Sequence, residues 1–263
     1  MRTVLLTSTE KRHQYIAKCL EGQTDLQLII TEEKSGNIRD TSGLNETDKK
    51  FLNEHFKARE ATETTYFGKV NFPSTVLLLR LAHGEINSQL SLEVLQDIDP
   101  EIIVLFGTSI ISEELLQAFP NRFVNLHLGL SPYFRGSATN LFPIFHQKPQ
   151  CIGATIHLAT KKVDAGAILH QLRPEININD GLHDIGNKVI LKAGRLLPEI
   201  LDEYICGKLE PIKQESNGEL CRVKDLSPEV LREIYNHIEN GLIVNYLKNK
   251  EEIDFKYPII EQI

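Results

Sequence analysis

The segment VNLHLGLSPYFRG, residues 124–136, decides the fold of this chain. Successive side chains of a strand point to opposite faces, so Asn125 and His127 share one face and the apolar residues around them share the other. Turn-forming residues begin at Gly129 and end the strand. Open parallel sheets bind ligands outside the carboxyl ends of their strands. The segment therefore predicts a sheet strand with two polar side chains at a ligand-binding edge.

Strand-like and helix-like patterns alternate on the N-terminal side of this segment. The strand-like runs are Thr3–Leu6, Leu26–Ile30, Thr75–Leu79, Ile102–Phe106 and Phe123–Leu128. The helical patterns run from about Thr9 to Gly22, with Ser8 or Thr9 as the cap, and then over Glu46–Arg59, Leu90–Ile98 and Ser112–Phe119. This alternation predicts an α/β fold with a doubly wound, mostly parallel sheet.

A polar, charge-rich stretch between Thr31 and Phe72 interrupts the alternation. Its one convincing element is the helix at Glu46–Arg59. We interpret the stretch as an insertion that forms an edge unit of the sheet or a lid.

The chain beyond residue 150 predicts the rest of a catalytic domain and a small C-terminal appendage. Two apolar runs, Ile152–Leu158 and Ala167–Leu172, flank a tight connection that carries Asp164. A long helix follows at Leu182–Ile205. We place the catalytic domain at residues 1–208 and the appendage at residues 209–263.

Composition and charge exclude several classes of protein. The formal net charge of the 263 residues is -7, which disfavours the clustered basic surface that nucleic-acid binding requires. The charged N-terminus cannot form a signal-peptide core, and no apolar stretch approaches the roughly 20 residues that span a bilayer. We therefore expect a cytoplasmic enzyme for small substrates, without a nucleic-acid or membrane partner.

The sequence places no residues at metal-ligand spacing. Its cysteines, Cys19, Cys151, Cys206 and Cys221, include no Cys-x-x-Cys pair, and we expect reduced thiols. Five histidines without a ligand partner are interpreted as structural or surface residues: His83, His146, His157, His170 and His183. The sequence therefore predicts a site that needs no metal.

The first strand runs into LLTSTEKRH, residues 5–13, which lacks the glycines of a dinucleotide fingerprint. NAD binding of the Rossmann type is therefore not predicted. Arg12 and His13 fall at the start of the first helix, where free amides and the helix dipole favour anions. They either bind an acceptor's phosphate or form a solvated helix face.

Asn125 and His127 are either catalytic or a hydrogen-bonded pair within the core. The catalytic interpretation requires the connection at Asp164 to fold back over the end of their strand. A carboxylate there would orient the imidazole of His127 and favour its protonated form. The plain alternative is that Asp164 only shapes a turn.

The segment VNLHLGLSPYFRGSATNLFPIF, residues 124–145, followed by KKVDAGAIL, residues 161–169, resembles the folate-dependent formyltransferases. That family shares an Asn-x-His strand end, a Ser-Leu-Leu-Pro-like loop that ends in Arg-Gly, and a distant Asp-x-Gly turn. The matching positions are Asn125, His127, Arg135, Gly136, Asp164 and Gly166. The loop departs from the pattern, because Gly-Leu-Ser-Pro stands at residues 129–132. The resemblance implies the Rossmann-like formyltransferase fold.

The resemblance also implies transfer of a formyl group from 10-formyltetrahydrofolate to an amine, without a metal. Asn125 and protonated His127 would stabilise the oxyanion of the tetrahedral intermediate, and Asp164 would keep His127 charged and relay a proton. The folate contacts are expected at Phe106, Gly107, Thr108, Ser109, Ile110, Arg135 and Gly136. The acceptor contacts are expected at Arg12, His13, Ser131, Pro132 and Tyr133. Alternatively, Gly107 only ends its strand and Arg135 only anchors its loop.

Within that family, the acceptor that fits best is a nucleotide-linked amino sugar for surface glycan synthesis. Methionyl-tRNA formyltransferases carry a basic C-terminal domain, whereas residues 210–263 here hold seven Lys/Arg against eleven Asp/Glu. Glycinamide ribonucleotide formyltransferases are shorter, although another small amine of that kind is the second choice. A formyltetrahydrofolate hydrolase is the third. The Ile/Leu-rich tail is compatible with a homodimer or with packing on its own domain.

Two hypotheses come from other classes of protein. A serine hydrolase would use Ser131 or Ser137 with His127 and Asp164, but the sequence holds no G-x-S-x-G elbow. A non-catalytic folate- or nucleotide-binding module would place the same polar residues in a buried structural network. A fluorophosphonate probe would label the hydrolase, and the binding module would show no turnover.

Overall fold

The computed structural model describes residues 1–34, 41–215 and 218–263. The strands of these ranges are β1 Arg2–Thr7, β2 Asp25–Glu32, β3 Leu77–Leu81, β4 Ile102–Leu105, β5 Phe123–His127, β6 Phe134–Gly136, β7 Ala154–Leu158, β8 Ile168–Leu172 and β9 Glu219–Cys221. Seven of them form one sheet in the order β3-β2-β1-β4-β5-β7-β8, and β6 pairs with β9. In the large sheet, β7 runs antiparallel to both neighbours and the other pairs are parallel.

Helices cover both faces of the large sheet. They are α1 Lys11–Glu21, α2 Glu46–Phe67, α3 Gln89–Ile98, α4 Glu113–Ala118, α5 Phe142–Phe145, α6 Leu182–Ile205, α7 Pro228–Glu239, α8 Leu242–Lys248 and α9 Lys250–Phe255. Apolar residues of α1 and α6 pack on one face, and those of α3 and α4 pack on the other. Within the described ranges, no helix has both the length and the apolar character needed to cross a membrane.

The inner strand β1 contributes to both layers of the core. Leu5 packs in the apolar cluster that contains α1 and α6, whereas Val4 and Leu6 pack in the cluster of α3 and α4. All three side chains are fully buried. A strand that is covered on both faces reads as a continuous apolar run, which is why its residues here are leucines and valine rather than an alternation with polar residues.

The predicted α/β fold with a mostly parallel sheet is confirmed. The predicted cap of α1 is wrong, because Glu10 rather than Ser8 or Thr9 is the capping residue and exchanges hydrogen bonds with His13. The helix predicted at Glu46–Arg59 continues to Phe67. Residues 35–40 of the predicted insertion lie outside the described residues.

The C-terminal residues pack on the main sheet and its helices. Strand β9 pairs with β6, which belongs to the loop that follows β5. Leu231, Ile234 and Tyr246 of α7 and α8 are buried in the same apolar cluster as α6. The domain boundary between residues 208 and 209 stays a prediction, and so does the homodimer.

Candidate active site

The carboxyl end of β5 presents two polar side chains on one face of the sheet. Val124 and Leu126 are buried in the apolar cluster beneath α6, so Asn125 and His127 point to the opposite face. His127 is only 6% exposed. The two-residue period of the sequence therefore places both groups together at the edge where a parallel sheet binds ligands.

Asp164 lies on the connection between β7 and β8 and folds back over the end of β5. Its Oδ2 is 3.2 Å from His127 Nδ1, and its Oδ1 accepts a hydrogen bond of 3.0 Å from the Asn125 amide. The backbone N–H of Gly136 also donates to Oδ2, at 2.8 Å. One buried carboxylate thus ties together β5, the loop after it and the β7–β8 connection.

His157 belongs to the same cluster, although sequence reasoning treated it as structural. In the antiparallel pair of β5 and β7 it lies directly opposite Asn125, and such cross-strand pairs share a face. Its Nε2 is 3.1 Å from the Asn125 amide nitrogen and 3.4 Å from Asp164 Oδ1. The polar residues of Ala154–Leu158, at alternate positions, were the available signal, but the strand pairing was not predictable from them.

Gln214 holds the turn that carries Asp164. Its side-chain amide donates to the carbonyls of Asp164, at 3.1 Å, and Gly166, at 2.5 Å. Asp164 has a φ of 46°, in the left-handed region, and a Cβ at Gly166 would lie 1.8 Å from the Leu158 carbonyl oxygen. Only glycine therefore fits at residue 166, and the C-terminal part of the chain supplies the donor that fixes the turn.

The pKa values of His127 and Asp164 depend on burial as well as on the charges nearby. Burial lowers the pKa of His127 and has the largest effect, although the Asp164 carboxylate and the Phe134 carbonyl raise it. Burial alone would raise the pKa of Asp164, but His127, His157 and the Gly136 N–H lower it to about 2. An ionised carboxylate therefore faces an imidazole whose pKa lies below its ordinary value. The direction of this pKa shift runs against the prediction that Asp164 keeps His127 protonated, because the desolvation of His127 outweighs the effect of one carboxylate. The role of the pair stays a prediction.

A cavity of about 790 Å³ opens over these residues. Asn125, His127, His157 and Asp164 line it together with the segment that follows β4. Residues of α1, α2 and α6 and the segment 220–223 close its other sides. The volume lies in the range of small-molecule sites, which are about 300–1,000 Å³.

Most predicted ligand contacts line this cavity, and four do not. Those that do are Arg12, His13, Phe106, Gly107, Thr108, Ser109, Ile110 and Gly136. Ser131, Pro132 and Tyr133 line a second cavity of about 390 Å³ instead. Arg135, on β6, lines neither cavity among the described residues, and its buried Nε has no hydrogen-bond partner there. Within the loop after β5, Ser131, Pro132 and Tyr133 therefore face the second cavity, whereas Gly136 faces the first.

No cluster of three or more His, Cys, Asp or Glu side chains within the described ranges is arranged to hold a metal ion. The polar groups of the site are suited instead to binding an oxyanion and moving a proton, because they combine an amide, two imidazoles and an ionised carboxylate.

A sequence model described as Formyl transferase matches residues 8–201. This match covers most of the chain, and the chain belongs to the formyl transferase family. It includes the segment of Asn125 and His127 and the turn of Asp164 and Gly166, so the family resemblance that those residues indicate is confirmed.

The curated relatives that match this chain include methionyl-tRNA formyltransferases. The methionyl-tRNA formyltransferase of Bacillus cytotoxicus is 31% identical over 186 residues, which cover 65% of this chain and 59% of that protein. The chain spans about half the length of the curated relatives it matches.

Solved structures share the fold at lower identity. A sugar N-formyltransferase from Shewanella sp FDAARGOS_354 has a TM-score of 0.58 at 16% identity, covering 90% of this chain and 87% of that chain. Glycinamide ribonucleotide transformylase 1 from Symbiobacterium toebii has a TM-score of 0.55 at 20% identity, covering 81% of this chain and 94% of that chain. At these identities the likeness is one of fold.

Replacing Asp164 by Asn tests the coupling of the carboxylate to the imidazole. We expect Asp164→Asn to lower the pKa of His127 further, because the raising effect of the carboxylate is lost while burial stays. An NMR titration of the imidazole nitrogens measures this shift. Lys161→Met, on the same connection but exposed, is the matched control. An unchanged or raised His127 pKa in Asp164→Asn would contradict the described pairing.

Proposed function

We propose that this protein transfers the formyl group of 10-formyltetrahydrofolate to the amine of a small acceptor. The observation that carries the proposal is the convergence of Asn125, His127 and Asp164 on the cavity, in a chain of the formyl transferase family. We assign catalytic roles to these three residues.

The reaction begins when the acceptor amine attacks the formyl carbon. The new C–N bond places negative charge on the formyl oxygen. In the free protein the Asn125 amide donates to Asp164 and its nitrogen lies 3.1 Å from His157 Nε2. We assign the N–H on the His157 side to the formyl oxygen, to which it turns when the substrate is bound. A single donor of this kind contributes about 2.7–4 kcal/mol to the stability of such a transition state. Breaking the bond to the folate nitrogen then restores the carbonyl and releases tetrahydrofolate.

We assign to His127 the transfer of the proton from the amine to the leaving nitrogen. We assign the proton of the neutral ring to Nδ1, which lies 3.2 Å from Asp164 Oδ2, so Nε2 is the basic atom. When Nε2 takes the amine proton, the imidazolium is stabilised by Asp164 on one side and by the Phe134 carbonyl, 3.3 Å from Nε2, on the other. The same proton is then donated to the folate nitrogen as it leaves.

The segment after β4 suits a flat, partly polar ligand such as the folate. Residues Phe106 to Ile110 line the cavity, and the Ser109 N–H donates to Glu32 at 2.9 Å. Ile110 is 67% exposed, and Leu220 on another wall of the cavity is 46% exposed. Exposed apolar side chains beside ordered backbone polar groups are typical of ring-binding sites. We propose that 10-formyltetrahydrofolate lies here.

For the acceptor, we propose a nucleotide-linked amino sugar. The sugar N-formyltransferase from Shewanella sp FDAARGOS_354 shares the fold over 90% of this chain. Residues 210–263 are net acidic, which disfavours a role for them in binding tRNA. Arg12 and His13 line the cavity and are proposed acceptor contacts, whereas the roles of Ser131, Pro132, Tyr133 and Arg135 stay predictions.

A panel of acceptors tests the reaction and its substrate together. Tetrahydrofolate release from 10-formyltetrahydrofolate would be followed spectroscopically with nucleotide-linked amino sugars, glycinamide ribonucleotide, methionyl-tRNA and water alone. We expect turnover with an amino sugar nucleotide. Preference for glycinamide ribonucleotide or methionyl-tRNA would replace the proposed acceptor, and equal release with water alone would indicate a hydrolase.

Conservative changes at the catalytic residues test the mechanism. We expect Asn125→Leu, His127→Gln and Asp164→Asn each to lower kcat at least about a hundredfold, because each removes a group that stabilises charge in the transition state. Steady-state kinetics and circular dichroism would be measured on each variant. His146→Gln, at a partly exposed histidine beside Glu219, is the control. Near-normal kcat in all three would exclude the mechanism.

A further inference from the structure

Three basic side chains from separate parts of the sequence converge on one end of the cavity. They are Arg12 on α1, Lys34 after β2, and Arg59 on α2, and we call them the cation cluster. Arg12 is largely buried, with 11% of its side chain exposed. A Cβ at Gly107 would lie 3.2 Å from Lys34 Nζ and 2.6 Å from His13 Nε2, so the cluster adjoins the segment after β4.

Two carboxylates accept hydrogen bonds directly from side chains of the cation cluster. Glu63 accepts hydrogen bonds from Arg12 at 2.6 Å and from Arg59 at 3.2 Å, and Glu10 accepts a second bond from Arg12 at 2.6 Å. Lys34 donates to the Gly107 carbonyl, which carries no full charge. Among the residues that the structure describes, three cations on two carboxylates leave one positive charge that is not balanced by a direct ion pair.

Glu32 lies near Lys34 but is occupied elsewhere. Its carboxylate accepts from the backbone N–H groups of Gly84, at 2.8 Å, and Ser109, at 2.9 Å. It therefore fixes the backbone on two sides of the cavity rather than forming an ion pair with Lys34.

The cations of the cluster repel one another, and this repulsion contributes to the lowered pKa values of Lys34 and Arg59. Burial lowers the pKa of Lys34 to about 8, and Arg12 and Arg59 lower it while Glu10 and Glu32 raise it. Burial, followed by Arg12, lowers the pKa of Arg59 to about 10. Arg12 and Arg59 therefore repel the charge of Lys34 even though Glu10 and Glu32 lie nearby. A bound anion would relieve this repulsion.

A free hydrogen-bond donor lies on the neighbouring wall of the cavity. Asn187, on α6, lines the cavity and is 4% exposed, and its Nδ2 has no hydrogen-bond partner among the described residues. An unpaired buried donor is destabilising unless a ligand or a water molecule accepts its hydrogen bond. This donor is independent of the charges on α1 and α2, and it favours the same kind of ligand.

The wall beside Asn187 is held in place by the C-terminal part of the chain. Tyr235 Oη, on α7, lies 2.9 Å from His55 Nδ1 and 3.2 Å from His183 Nε2. Burial is the largest cause that lowers the pKa of His55, to about 3, and of His183, to about 4. These neutral rings add no charge of their own, so they fix α2 against α6 without competing with the cation cluster.

We propose that the cation cluster and Asn187 form a subsite for an anionic group of one of the two substrates, a phosphate or a carboxylate. The subsite gives a role to α2, the helix of the insertion. The inference rests on the proposed function for the identity of the substrates. Two sources of the anion are compatible with it, the diphosphate of the acceptor and the glutamate tail of the folate.

Pyrophosphate binding tests the subsite without turnover. We expect calorimetry to show pyrophosphate binding to the wild-type protein, at least about tenfold weaker binding in Arg59→Met and Lys34→Met, because each loses a cation that faces the anion, and unchanged binding in Lys57→Met. Lys57 is an exposed residue of the same helix and is the matched control. Two variants are used because loss of Arg59 leaves Glu63 with a single partner. Equal affinity in all four folded proteins, or no binding to the wild type, would overturn the proposal.

Steady-state kinetics with both substrates, and with a folate analogue that lacks glutamate, identify which substrate supplies the anion. If the acceptor supplies it, Arg59→Met raises the KM for the nucleotide-linked sugar and leaves the KM for the folate substrate unchanged. If the folate supplies it, the KM for the folate substrate rises, whereas the KM for its analogue without glutamate does not. Unchanged KM for both substrates would overturn the subsite. Pyrophosphate binding without any formyl transfer would instead remove the proposed function and leave the subsite standing.

Discussion

The Asp164 carboxylate is the interaction on which the rest of the site depends. A buried charge is costly unless it is paired and hydrogen-bonded. Here the Asn125 amide, the imidazoles of His127 and His157, and the Gly136 N–H surround both oxygens. These groups come from β5, β6 and β7, so the carboxylate is stabilised only when the strands have assembled in their described register. Folding and the proposed proton transfer are therefore linked at one residue.

Residues after α6 also hold the groups that surround the Asp164 carboxylate. Gly136 has a φ of 92°, and a Cβ there would lie 2.2 Å from the Cys221 carbonyl oxygen. Strand β9 thus packs directly on the residue whose N–H holds Asp164. Gln214 fixes the same turn through its backbone carbonyls. The tail is therefore part of the structure that shapes the active site.

Local patterns were enough to predict the order of strands and helices and the shared face of Asn125 and His127, because both follow from side-chain period. The position of Asp164 near them followed from family resemblance. The contribution of His157 was not predictable, because it depends on the antiparallel register between β5 and β7. The lowered pKa of His127 was also missed, because the sequence shows the nearby carboxylate but not the depth of burial that outweighs it.

The most direct test of this account is a carbon-13 NMR titration of the Asp164 carboxyl group in the free protein. Held by two imidazoles, an amide and a backbone N–H, the group is expected to have a pKa of about 2 and to stay ionised throughout the neutral and mildly acidic range. A midpoint at or above the ordinary value of 3.8 would show that these partners do not stabilise the charge. The central carboxylate would then lack the role that the structure gives it.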